Sequence, residues 1–166
     1  MYRGGNDRVR QDSYRVRPDP REKDELIEMA RKFITGENMI DPESLLGYDG
    51  TVRKFVEPKS NSNRNDTKSH QLRKFYSDIV DIWGLAEKFS GDQNDADVSK
   101  LKIRLAMMEA RLNYARERGV LSRDTFELLT ACVSTVNRQK DNKWVESLER
   151  FRTFFEALVA YSYKGK

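Results

Sequence analysis

Residues 69–91 read SHQLRKFYSDIVDIWGLAEKFSG, and within them Leu72, Phe75, Tyr76, Ile79, Ile82, Trp83 and Ala86 recur every three or four positions. That period places all seven side chains on one stripe of an α-helix, so the segment is a long amphipathic helix that must bury one face. Working outward, a polar loop through Asp97 leads to Leu101, Leu105, Met108, Leu112 and Ala115, a heptad-like series that runs to Gly119. Ser122 is placed to cap the next helix, whose inward face is expected to be Phe126, Leu129, Val133 and Val136. A turn around Asp141 and Asn142 precedes a last helix with Trp144, Leu148, Phe151, Phe155 and Leu158 inward, and Phe154, Val159 and Tyr161 widening that face. No alternating strand pattern and no internal repeat competes, so the expected fold is all-α, a helical bundle over residues 67–166.

Upstream the texture is different. Residues 1–20 hold Arg3, Arg8, Arg10, Arg15 and Arg17 with little that is apolar, the composition of a disordered basic arm. Leu26, Ile27, Ala30, Phe33 and Ile34 then repeat at helical spacing up to Gly36, which predicts a helix over 21–35. Pro42, Gly47, Gly50 and Pro58 allow only short pieces after it, and 59–66 is a run of Ser, Asn and charge that reads as a linker. The chain therefore divides into an arm (1–20), an N-terminal helix and linker (21–66) and the bundle (67–166).

Composition narrows the function. The 166 residues are 37% hydrophobic, enough for one core, and 35% charged with a net charge of +4, which permits nucleic-acid binding without requiring it. A single cysteine, Cys132, excludes an internal disulfide, and with the lone His70 it leaves no thiolate or imidazole set for zinc. Asp92, Asn94, Asp95 and Asp97 fail the spacing of a calcium loop, since Ala96 stands at its fifth position and the central Gly and terminal Glu are missing. No metal or other cofactor is expected. The absence of a long apolar run or leader-like segment predicts a soluble, cytoplasmic protein with no membrane partner.

Two groups of cations stand out. Lys100, Arg104, Arg111 and Arg118 are spaced four, seven and seven, which at 3.6 residues per turn puts them within about 40° of one another around the axis. On the same wheel this row falls between the Leu101/Leu105/Met108/Leu112 face and a second, weaker apolar face of Ile103, Met107, Ala110 and Tyr114. Such a row can pair with successive phosphates while Tyr114 stacks on a base. It can also be neutralised by acids on neighbouring helices, such as Glu127, Glu149 or Glu156, and a charge row by itself favours that second reading. The other group is Lys68, Ser69, His70, Gln71, Arg73 and Lys74 at the entry of the first bundle helix, where free backbone amides seat anions and where the helix dipole disfavours cations. His70 as a ribonuclease acid or base has no evident partner, and a surface role outweighs it. Any aromatic surplus at Phe154, Tyr161 and Tyr163 would mark a subunit interface.

Three segments, in order, resemble one known family. Phe151–Tyr161, Phe-Arg-Thr-Phe-Phe-Glu-Ala-Leu-Val-Ala-Tyr, resembles the closing motif of the small helical subunit of type III-A CRISPR effector complexes. Thr67–Phe75, with a Ser shortly before a Leu-Arg pair, is similar to that family's opening helix, and Arg111–Gly119, with Tyr-x-Ala followed by basic residues, to its middle helix. The resemblance implies a compact bundle of about five helices that packs beside others of its kind and lines a guide and target RNA channel. It implies backbone contact without base reading and without nuclease activity, since guide pairing supplies specificity in RNA-guided complexes. Carried over by position, the RNA-binding candidates are Lys68, Ser69, Arg73 and Lys74 with Arg111, Arg116 and Arg118, beside the Lys100 and Arg104 of the spacing argument. The partners implied are guide and target RNA, other type III-A subunits and further copies of the chain. The runner-up is a helical adaptor that binds protein alone. Residues 1–66 exceed the family's usual lead-in, and their helix can dock on a neighbour, swap between protomers or fold back.

Overall fold

A computed structural model describes residues 20–37, 40–57, 67–89 and 95–163; residues 1–19 of the expected arm and the whole expected linker, 59–66, lie outside the described residues. Among those described there are seven α-helices and no strand: α1 (Pro20–Thr35), α2 (Pro42–Leu46), α3 (Thr51–Val56), α4 (Ser69–Phe89), α5 (Asp95–Glu117), α6 (Arg123–Asn137) and α7 (Asn142–Ser162).

Four of them form an up-down bundle in which α4, α5, α6 and α7 each pack on the next and α7 closes back on α4. The antiparallel sense is visible side chain by side chain. Asp78 and Asp81 of α4 meet Arg111 and Arg104 of α5, and Tyr76 and Trp83 of α4 meet Phe155 and Arg152 of α7. The stripe that predicted α4 is the one it buries: Leu72, Phe75, Ile79, Ile82 and Ala86 are all inside, as are the five heptad positions of α5. Ser122 caps α6 as expected, its hydroxyl accepting from the Thr125 amide at 3.2 Å. Asp141 turns the chain into α7 with a φ of 53° and a ψ of −136°, a positive-φ conformation that residues other than glycine rarely adopt.

The N-terminal helix folds back. Leu26, Ala30 and Ile34 are fully buried against α6 and α7, and Leu45 and Val52 of the short helices join the same core. Gly36 ends α1 at φ 69°, where the Arg150 guanidinium passes so close that a Cβ would lie 2.9 Å from it. The five long helices are therefore α1 and α4–α7. This packing also corrects two details of the expected core. The inward band of α6 is wider than the sequence indicated, because α1 covers a further side of it: Leu128 is fully buried, while Phe126 is only partly so; Cys132 is fully buried, as a small apolar side chain in this helix is expected to be. The aromatic surplus of α7 is absorbed at Phe154, which is fully buried, and at Tyr161, which is partly buried; Tyr163 alone stays mostly exposed.

Candidate nucleic-acid interface

The entry of α4 is fixed by hydroxyls. The Thr67 hydroxyl lies 2.9 Å from that of Thr125 and 3.1 Å from that of Ser122, the Ser122 and Thr125 hydroxyls are 2.8 Å apart, and the Ser122 amide donates to the Thr67 hydroxyl at 3.0 Å. The Lys68 amide donates to the Val120 carbonyl at 3.1 Å. These bonds hold the first turn of α4 against the α5–α6 turn. The exposed side chains of Lys68, His70, Arg73 and Lys74 and the half-buried Ser69 are thus presented beside the C-terminal end of α5.

Arg73 and Lys74 nevertheless diverge, as neighbours on a helix must, being about 100° apart. The Arg73 guanidinium lies 4.9 Å from the centre of the Tyr163 ring, on the α7 side. Lys74 shares a stripe with Asp78 and Asp81, four and seven residues on, which faces α5. Among the described residues Lys74 makes no ion pair.

The row on α5 exists, and its members differ in what they meet. Lys100 is held at 3.4 Å by Asp97, a residue of its own helix. Arg104 reaches Asp81 at 3.9 Å and Arg111 reaches Asp78 at 2.7 Å, both across the α4–α5 seam. Arg118 meets no described carboxylate and lies 5.5 Å from the centre of the Tyr114 ring. Arg116 departs from the row. It points toward α6, with its guanidinium 4.8 Å from the Phe126 ring centre, and bonds Asn113 and Glu117. The acids that neutralise the row are thus not those the sequence offered. Glu127 pairs with Lys23 and Arg123, and Glu156 with Arg152. Asp78 and Asp81 were the missed residues, and their spacing from Lys74 on one stripe was the available signal.

Beside the row runs the second apolar face of α5. Ile103, Met107 and Tyr114 are 64%, 57% and 63% exposed and Ala110 is exposed with them, almost opposite the buried face. No described part of the chain covers this stripe. A row of cations next to uncovered apolar side chains can hold a phosphate backbone on one edge and a neighbouring surface on the other.

Among the described residues no three of His, Cys, Asp and Glu come together as a metal site, and no helix is long and apolar enough to cross a membrane. In comparison with known proteins, the family model described as Csm2 Type III-A matches residues 54–166, well over half of the chain and all of α4–α7. No curated protein and no solved structure matches.

Proposed function

Since the chain belongs to the Csm2 type III-A family and is thereby a small subunit of a type III-A CRISPR effector complex, we propose that it is a non-catalytic subunit that binds guide and target RNA through the phosphate backbone. In this reading it works in the cytoplasm in antiviral defence, packed in several copies along the minor filament. The observation that carries the RNA contact is the exposed row Lys100, Arg104, Arg111 and Arg118, continued at its Arg118 end by Lys68, Ser69 and Lys74 of the clamped α4 entry. Cations one or two turns apart along a rigid helix, the last just past its end, match a sequence-independent ligand, the phosphates of a strand whose bases are already paired. Arg73 and Arg116 flank this edge from the α7 and α6 sides. The uncovered stripe Ile103, Met107, Ala110 and Tyr114 is assigned to contact with further subunits, other copies included.

The test is fluorescence anisotropy of the full chain with two unrelated single-stranded RNAs across a salt series. We expect both RNAs to bind, with affinity falling steeply as salt rises. A Lys74/Arg111/Arg118→Ala variant, its helicity checked by circular dichroism, loses this binding for both RNAs and flattens the salt slope by about 0.7 per phosphate contact removed. A loss confined to one RNA sequence contradicts backbone binding.

The adaptor reading draws support from one observation, the neutralisation of Arg104 and Arg111 by Asp81 and Asp78. It predicts that Ile103→Ser/Met107→Ser abolishes pull-down of partner subunits, while the wild-type chain and the cation variant alike bind no RNA.

A further inference from the structure

We infer that Asp78 and Asp81 are affinity-setting residues of the basic edge: in the free subunit their carboxylates occupy the guanidinium positions of Arg111 and Arg104 that RNA phosphates would take. The inference rests on the RNA-binding reading above and deepens it.

The geometry gives the acids a place that packing does not explain. Exposed ion pairs add little to stability, and α4 and α5 are already joined through a continuous buried core. The two pairs cross the seam at its solvent edge, with the Arg111 side chain 43% and the Asp78 side chain 21% exposed, so the guanidinium is reachable from solvent while its carboxylate partner is tucked beneath it. Asp81 is the looser of the two, farther from its arginine and more exposed. A carboxylate tethered beside an arginine competes with an incoming phosphate as an intramolecular ligand, at a high effective concentration.

The edge is consequently graded. At the Arg118 and Lys74 end no described carboxylate has to be displaced, so a phosphate seats there without competition. Toward Arg111 and Arg104 each further phosphate must exchange with an aspartate. An isolated subunit therefore holds stray RNA weakly, and strong binding arises only when several copies act along one strand.

The experiment compares the full-length wild type with Asp78→Asn/Asp81→Asn, with Arg104→Ala/Arg111→Ala, and with Glu28→Gln/Glu146→Gln. The last pair changes two exposed acids elsewhere and raises the net charge by the same amount. Anisotropy is read with the same two single-stranded RNAs across salt. The aspartate variant is expected to bind both RNAs roughly threefold to tenfold tighter, the scale of two exposed ion pairs. Its salt slope should steepen by about 0.7 for each phosphate gained, and the control should change by less than about twofold. An equal gain in the control means that net charge alone acts, and overturns the inference. No gain in the aspartate variant, with loss in the arginine variant, overturns it and leaves the RNA reading standing. Absence of RNA binding in the wild type and in every variant overturns both. Should the double substitution fail to fold, Asp81→Asn alone, at the more exposed pair, is read for a smaller gain of the same sign, and no gain there overturns the inference.

Discussion

The phenol of Tyr161, near the end of α7, donates to the carbonyl of Leu46 at the end of α2, 2.8 Å away across 115 positions of sequence. This bond ties the last helix to the N-terminal layer at the point where the short helix α2 leaves a carbonyl without an intrahelical partner. Tyr161→Phe keeps the ring and removes the donor. It should lower the unfolding free energy by about 1 kcal/mol, measured by urea titration, with no change in helical content.

The fold-back of α1 has a larger energetic signature. Ile34 is fully buried, and the Arg150 guanidinium donates to its carbonyl at 3.4 Å. Ile34→Ala should cost about 2–5 kcal/mol, the range for deleting a buried aliphatic side chain, and unfolding should remain a single transition by both circular dichroism and tryptophan fluorescence. A second transition, or a cost near zero, would mean that α1 is detached in solution.

A pH dependence follows from the contact between α1 and α6. Lys23 and Glu127 are bonded directly, and Arg123 donates to the same carboxylate at 2.8 Å. The hydrogen bond from Lys23, then that from Arg123, hold the Glu127 carboxyl below its ordinary 4.5, while the bond to Glu127 holds the Lys23 ammonium above its ordinary 10.5. A lowered carboxyl stabilises the fold above its unfolded value, and that contribution is lost as pH falls through the folded one. A raised ammonium stabilises it below its unfolded value, and that contribution is lost as pH rises through the folded one. The pair therefore supports the fold through the neutral range and fails at both ends. Glu127→Gln should flatten the acid side of a plot of thermal midpoint against pH.

Gly84 sits in the interior of α4, and a Cβ built on it meets nothing within 4 Å. Glycine there costs backbone entropy with no close approach to justify it. Gly84→Ala should stabilise the isolated subunit by about 0.5–1 kcal/mol in the same urea assay.

Cys132 is wholly buried in α6, and burial pushes its thiol far above the ordinary range of a cysteine. Because the thiolate is the reactive form, an aromatic disulfide reagent should leave Cys132 unmodified in the native protein and titrate one thiol after addition of denaturant. Rapid labelling of the folded chain would contradict the packing of α1 over this side of α6.

How far the sequence was legible depended on the range of the interaction. The α4 stripe of Leu72, Phe75, Ile79, Ile82 and Ala86 could be read because burial imposes its period locally, and Ser122 because capping uses the next three residues. The azimuth of the cation row on α5 was readable for the same reason. Its partners were not, since pairing with Asp78 and Asp81 depends on the register between two helices, which no single-helix period encodes. Arg73 and Lys74 illustrate the same boundary: the helical period dictates that they diverge, but not that they turn toward α7 and α5. Leu26, Ala30 and Ile34 announced an amphipathic helix without saying which surface would cover it.

The hydroxyl triangle of Thr67, Ser122 and Thr125 contains no charge. Dissolved salt screens ion pairs and phosphate contacts, but it does not weaken a neutral, partly buried hydrogen-bond set to the same degree. The scaffold that presents the basic edge is thus far less sensitive to the variable that governs the edge's proposed ligand. A strand stripped away by high ionic strength would leave its seat in the original shape, and dilution would restore binding without any refolding step.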